Sequence, residues 1–228
     1  MPDQPTPTPA RKTTPRRAPQ DQEIANLISE ARKIIEVARD DPEIAPLLAG
    51  RGYNTAALAA GLALQQAAQH AFAARQVAMS AQQKAATTAE QALAAAHTTY
   101  MDFRETVRST FDDPDARTAL GLTGRVPKDL QKFLTTARSS YATAQSEPYQ
   151  ATLATYGFPA GALTDALDEL DALFTANKAQ ETIGKDAVQA TLNRDAAIKA
   201  LEQWLKKFKS IASIALRPEP TQAKKLGL

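Results

Sequence analysis

The chain is predicted to be all-α: two tandem helical repeats of ~106 residues forming an elongated helical bundle with long alanine-rich helices. Three observations lead there. Ala, Leu, Gln, Glu, Lys and Arg dominate from Asp21 onward, and these are the residues that lose least on entering a helix. No run alternates apolar and polar residues as a half-buried strand would. The third observation is that the sequence resembles itself.

A shift of 106 places Leu27 on Phe133, Ala31-Arg32 on Ala137-Arg138, Pro42 on Pro148 and Leu47 on Leu153. After a one-residue deletion, Gly52-Tyr53 falls on Gly157-Phe158, Ala57-Leu58 on Ala162-Leu163 and Leu62 on Leu167. The same register carries Phe103 onto Phe208 and Phe111 onto Leu216. The residue is then regained, and Pro114 with Leu120-Gly121-Leu122 falls on Pro220 with Leu226-Gly227-Leu228. Matches that keep their order over a whole unit, with one slip and its reversal, indicate duplication rather than shared composition. The expected organisation is a tail over residues 1–20, a first repeat over 21–126 and a second over 127–228. The second copy ends at the last residue, so little is expected to be missing there.

The tail holds six of the fourteen prolines and almost nothing apolar. It cannot bury enough surface to offset its ordering entropy, so disorder or transient polyproline II is expected. A first helix over about 22–40 follows, with Ile24, Leu27, Ile28, Ile34, Ile35 and Ala38 on one stripe. In the second copy Leu130, Phe133, Leu134, Ala137 and Tyr141 play that part. Asp41-Pro42 interrupts and restarts the helix, because proline lacks an amide donor but suits a first turn capped by aspartate. Glu147-Pro148 repeats the junction with a poorer cap. The short helices end at Gly52 and Gly157, where a left-handed residue costs little, and Tyr53 or Phe158 then folds back onto the apolar face.

Nearly sixty residues come next, 55–112 and 160–216, without proline. Alanine supplies 19 of the 42 residues from Thr55 to Ala96, which favours helix and lets neighbouring helices approach closely. Each segment has an apolar-poor stretch, about 80–92 and 175–187. There it either turns as a hairpin or continues as one rod of roughly 85 Å. The missing helix breakers favour the rod. Asp113-Pro114 and Glu219-Pro220 then start short helices that stop on the two Leu-Gly-Leu triplets, read as docking elements that pin each unit's end.

Composition limits the function. Cysteine is absent, which removes disulfides, thiolate nucleophiles and cysteine-ligated metals together. The net charge of +2 hides a polarity: residues 1–20 carry +3, residues 205–228 carry +5, and the body between carries −6. No apolar h-region follows the basic N-terminus, and the longest apolar run, Ala56 to Leu64, is about half of what a bilayer needs. A soluble, cytoplasmic chain is expected.

No constellation of residues points to catalysis, a cofactor or a metal. His70 and His97 are 27 residues apart on alanine-rich helix, with no Glu-x-x-His pair, and are read as solvated or packed. Asp165, Asp168 and Glu169 share a helix surface with Asp171 nearby, but this reads as a charged face near a helix start. The Asp112-Asp113-Pro114-Asp115 turn lacks the glycine and glutamate of a calcium loop and is read as a cap. Asn193, Arg194 and Asp195 are read as a solvated face rather than a buried cluster. Trp204, Leu205, Phe208, Ile211 and Ala212 form a core stripe with Lys206, Lys207 and Lys209 on the outer face.

The leading expectation is a non-catalytic structural or interaction protein that assembles with itself or scaffolds another protein. The alternative is association with nucleic acid or another polyanion. Its candidate contacts are Arg11, Lys12, Arg16, Arg17, Lys206, Lys207, Lys209, Lys224 and Lys225. A third reading, rearrangement into a membrane, rests only on the Ala56–Leu64 stretch.

Overall fold

The computed structural model describes residues 18–228, and every regular element in that range is a helix. In order these are α1 (Ala18–Asp40), α2 (Ile44–Ala49), α3 (Thr55–Thr110), α4 (Pro114–Ala119), α5 (Leu130–Ala144), α6 (Tyr149–Thr155), α7 (Ala160–Ala215) and α8 (Pro220–Lys225). The expected tail lies almost wholly outside the described residues, so Arg11, Lys12, Arg16 and Arg17 have no described position. Its boundary moves, however. α1 begins at Ala18, inside the stretch assigned to the tail, and accommodates Pro19 in its first turn, where no amide donor is required.

The choice between rod and hairpin is settled by α3 and α7, each an uninterrupted helix of 56 residues. The only glycines they contain are Gly61, Gly161 and Gly184, and they contain no proline, so nothing interrupts the backbone hydrogen bonding. In the apolar-poor middle stretches Ala89 and Ala187 are buried, so small side chains, not absent ones, carry the packing there.

The chain divides into two compact units, and the division differs from the division of the sequence. One unit takes the residues up to Arg75 together with Thr191–Leu228; the other takes Gln76–Ala190. Each therefore draws on both sequence halves. In the first unit Ile34, Ile35 and Ala38 of α1, Ile44 and Leu48 of α2 and Leu58 at the start of α3 pack with Phe208, Ala212 and Leu216 from the end of α7 and its exit. Leu226, just past α8, closes this cluster. In the second unit Tyr100, Phe103 and Val107 from the end of α3 pack with Leu120, with Phe133, Leu134, Ala137 and Tyr141 of α5, with Leu153 of α6 and with Leu163, Leu170 and Leu173 from the start of α7. Burying each such large apolar side chain stabilises the fold by about 1.5–3 kcal/mol relative to exposing it.

Local signals fix the joints. Asp41 accepts from the amides of Glu43 and Ile44 at 2.9 and 3.2 Å, and Asp113 accepts from those of Asp115 and Ala116 at 3.1 and 3.3 Å. Glu219 and Pro148 cap without a side-chain hydrogen bond. The short helices close on Gly52, Gly121, Gly157 and Gly227, all at positive φ, and the amide of the following residue reaches back to a carbonyl five residues earlier. Tyr53 bonds Leu48, Leu122 bonds Arg117, Phe158 bonds Leu153 and Leu228 bonds Ala223 at 2.9–3.1 Å.

Candidate interaction site around Trp204

The Schellman turn at Gly52 presents Tyr53 to the first unit, and Asn54 then caps α3 by accepting from the Ala57 amide at 3.0 Å. Trp204 and Phe208, one turn apart on α7, stack with ring centres 5.2 Å apart and planes 4° from parallel. Tyr53 meets both edge-on, at 5.8 Å from Trp204 and 5.1 Å from Phe208. Such pairs each add about 0.5–1.5 kcal/mol beyond the area they bury. The indole lies against Gly61: a Cβ there would sit well inside van der Waals distance of three ring carbons. Gly61 is thus what lets the ring lie down on α3.

Phe208 is fully buried, whereas Tyr53, Trp204 and Ile211 are half-buried. Their outer surfaces border a groove of ≈ 820 Å³, lined also by Ala200, Gln203, Lys206, Lys207 and Ser210. The core stripe expected from the sequence is thus wet on one side, and two of the candidate lysines line that side.

The remaining candidate lysines divide. Lys209 donates to Glu30 at 2.9 Å, and Lys225 donates to Asp41 at 2.8 Å with Glu43 at 3.8 Å. The Lys225 ammonium, and after it the Glu43 amide, hold the Asp41 carboxyl below its ordinary range, while Asp41 raises Lys225 in turn. Lys206, Lys207 and Lys224 are exposed and form no ion pair with a described residue. Of the five candidate lysines near the C-terminus, two are thus matched by carboxylates of the same chain.

One expectation is corrected in part: Asn193 and Asp195 are exposed as expected, but the arginine between them is not. Arg194 is buried rather than solvated, 3.7 Å from Asp21 and hydrogen-bonded to the neighbouring Asp195 at 2.6 Å. Arg75, also buried, donates to both carboxylate oxygens of Asp21 at 3.0 and 2.9 Å. Two guanidiniums and two carboxylates thus fix the start of α1 against α3 and α7. The second unit has a buried cation of its own that sequence reasoning missed. Arg104 donates to the carbonyls of Gly121 and Gly124 at 3.2 and 2.9 Å, and its guanidinium sits 5.7 Å from the Tyr100 ring centre. A signal existed, since Arg104 lies within the apolar stripe Tyr100, Phe103, Val107.

The other features are ordinary. His70 is exposed, and His97 is exposed but lies over Phe133 with ring centres 6.0 Å apart. A second groove, of ≈ 660 Å³, runs beside His97 with Glu90, Leu93, Lys128 and Phe133 on its walls. Asp165 and Asp168 are exposed, and Asp171 pairs with Arg138. Among the described residues no group of three or more His, Asp or Glu is placed to hold a metal ion, and no helix is long and apolar enough to cross a membrane. Comparison with protein-family models, with curated proteins and with solved structures returned no match.

Proposed function

We propose that this chain is a non-catalytic structural or interaction protein, a tandem helical repeat that assembles with itself or scaffolds another protein. The repeat is supported by paired elements: α3 and α7 are equal in length, α4 and α8 likewise, and four glycine stops share one hydrogen-bond pattern. Under this reading each compact unit is a bundle assembled from the opening of one copy and the close of the other.

The observation that carries the interaction role is apolar surface left in solvent on the long helices. In the second unit Val77 is 71% exposed, Val188 61% and Phe174 40%. Large apolar side chains standing out along helices are what a partner helix covers. Polyanion binding ranks behind this, because Lys209 and Lys225 already hold carboxylates of the same chain.

The test is size-exclusion chromatography with light scattering over a wide concentration range. The wild type is expected to exceed the monomer mass, and Val77→Glu with Val188→Glu to lower it while leaving the helical circular dichroism intact. A chain that stays monomeric throughout and captures no partner in a pull-down sinks the proposal.

A further inference from the structure

We propose that the groove beside Trp204 binds a small anionic amphiphile, a molecule with an apolar body and a single carboxylate or sulfonate head. Trp204, Tyr53, Ile211 and Ala200 give the groove apolar lining, and Lys206 and Lys207 stand on the same groove with Gln203 and Ser210 as neutral hydrogen-bond donors. Among the described residues no carboxylate lines it. Its volume of ≈ 820 Å³ falls within the range of small-molecule sites, roughly 300–1,000 Å³.

Charge selects the occupant. Lys209 and Lys225 are matched by Glu30 and by Asp41 with Glu43, whereas Lys206 and Lys207 have no ion partner among the described residues. Two neighbouring free cations suit one anionic head; a polynucleotide would need a longer row of them. The chain's own residues 1–17 carry four basic side chains against one acidic, the wrong sign for this groove.

Thr99 stands 105 residues before Trp204, and Ala166 stands 105 after Gly61. In the second unit Phe103 and Phe158 meet edge-on at 5.4 Å with neither a tryptophan nor a glycine to seat one. Packing of this kind therefore does not require the Trp204–Gly61 pair, and its half-exposed face is available for recognition.

Trp204 is the only tryptophan, so its fluorescence reports on the groove alone. The full chain would be titrated with decanoate, with decanol as the neutral analogue, with decyltrimethylammonium as the cationic one, and with phosphatidylcholine vesicles containing phosphatidylglycerol. Decanoate is expected to give a saturable emission shift, with decanol and the cation binding more weakly. Lys206→Gln with Lys207→Gln, both exposed and outside the core, should weaken decanoate about tenfold and bring it level with decanol. Equal affinity for decanoate and decanol overturns the proposal, as does an unchanged affinity in the double variant. A response to vesicles without one to monomeric decanoate overturns it too, by assigning the groove to a membrane surface. So does the absence of any saturable shift.

Discussion

Phe208 near the end of α7 and Phe103 near the end of α3 are both fully buried, and each meets a ring delivered by a glycine stop, Tyr53 or Phe158. Around that shared contact the two units part ways. One residue past Phe103, Arg104 turns inward and holds the backbone of the loop after α4. One residue past Phe208, Lys209 turns outward to Glu30 and stays more than a third exposed. Four residues before Phe208 lies Trp204, half in solvent; four before Phe103 lies Thr99. The second unit spends its polar group on internal order, and the first spends its aromatic surface at the boundary with water. The two units thus keep a similar central ring contact while its neighbours are put to opposite uses.

The largest expected difference is at the basic pair. Arg104→Ala leaves the Gly121 and Gly124 carbonyls without their donor and opens a cavity, at a cost of about 2–4 kcal/mol. Lys209→Ala removes only an exposed ion pair and should cost less than about 1 kcal/mol. Urea titrations followed by circular dichroism would compare them. Equal midpoints would mean that Arg104 contributes no more than a surface residue.

The two Leu-Gly-Leu glycines form the next comparison. Gly121 has φ +76°, and a Cβ there would overlap the Ser140 hydroxyl, which is itself 3.2 Å from the Tyr100 hydroxyl. Gly227 has φ +66°, with nothing within 4 Å of its Cβ position. Gly121→Ala should therefore cost about 3 kcal/mol, from backbone strain plus overpacking, and Gly227→Ala about 1 kcal/mol from strain alone. Ser140→Ala added to Gly121→Ala should recover the overpacking share. Thermal melts showing no recovery would place the whole cost in the backbone.

Gly61→Ala pits two smaller effects against each other. Alanine favours the helix by about 1 kcal/mol, but its methyl collides with the indole. A net loss of about 1–2 kcal/mol is expected in the presence of Trp204, and a gain when Trp204 is also Ala. A double-mutant cycle with no coupling would mean the ring moves aside freely.

These contrasts also mark what a sequence can reveal. Long helices were legible because their condition is local: no proline, few glycines, much alanine. The glycine stops were legible for the same reason. Arg194 was not, because an arginine beside a stripe looks the same whether it reaches water or a carboxylate of a distant helix, and only the place of Arg104 within the stripe Tyr100, Phe103, Val107 marked it. The partners of Lys209 and Lys225, Glu30 and Asp41, lie 179 and 184 residues away, so only the fold reveals that these lysines are matched.

The subtlest contrast concerns the two tyrosines nearest the central rings. The Tyr141 hydroxyl is buried with no hydrogen-bond partner among the described residues, and the Glu169 carboxylate lies close enough to act on it. Burial first, then the charges of Glu169, Tyr100 and Asp102, push its pKa well above the usual 10.0. Tyr53 is raised too, by burial, but it is half open to water. A phenol whose pKa is raised by folding stabilises the native state fully below pH 10.0, and that contribution is lost as pH climbs, because the unfolded chain ionises first. At pH 7, Tyr141→Phe should be neutral to within about 1 kcal/mol, since the hydroxyl it removes satisfies nothing. Above pH 10 the variant should retain stability that the wild type loses, by up to about 1.4 kcal/mol per pH unit. Tyr53→Phe should diverge less. Urea midpoints at neutral and alkaline pH would measure both gaps. Parallel pH profiles for wild type and Tyr141→Phe would mean that the hydroxyl reaches water, and that the contrast with Tyr53 disappears.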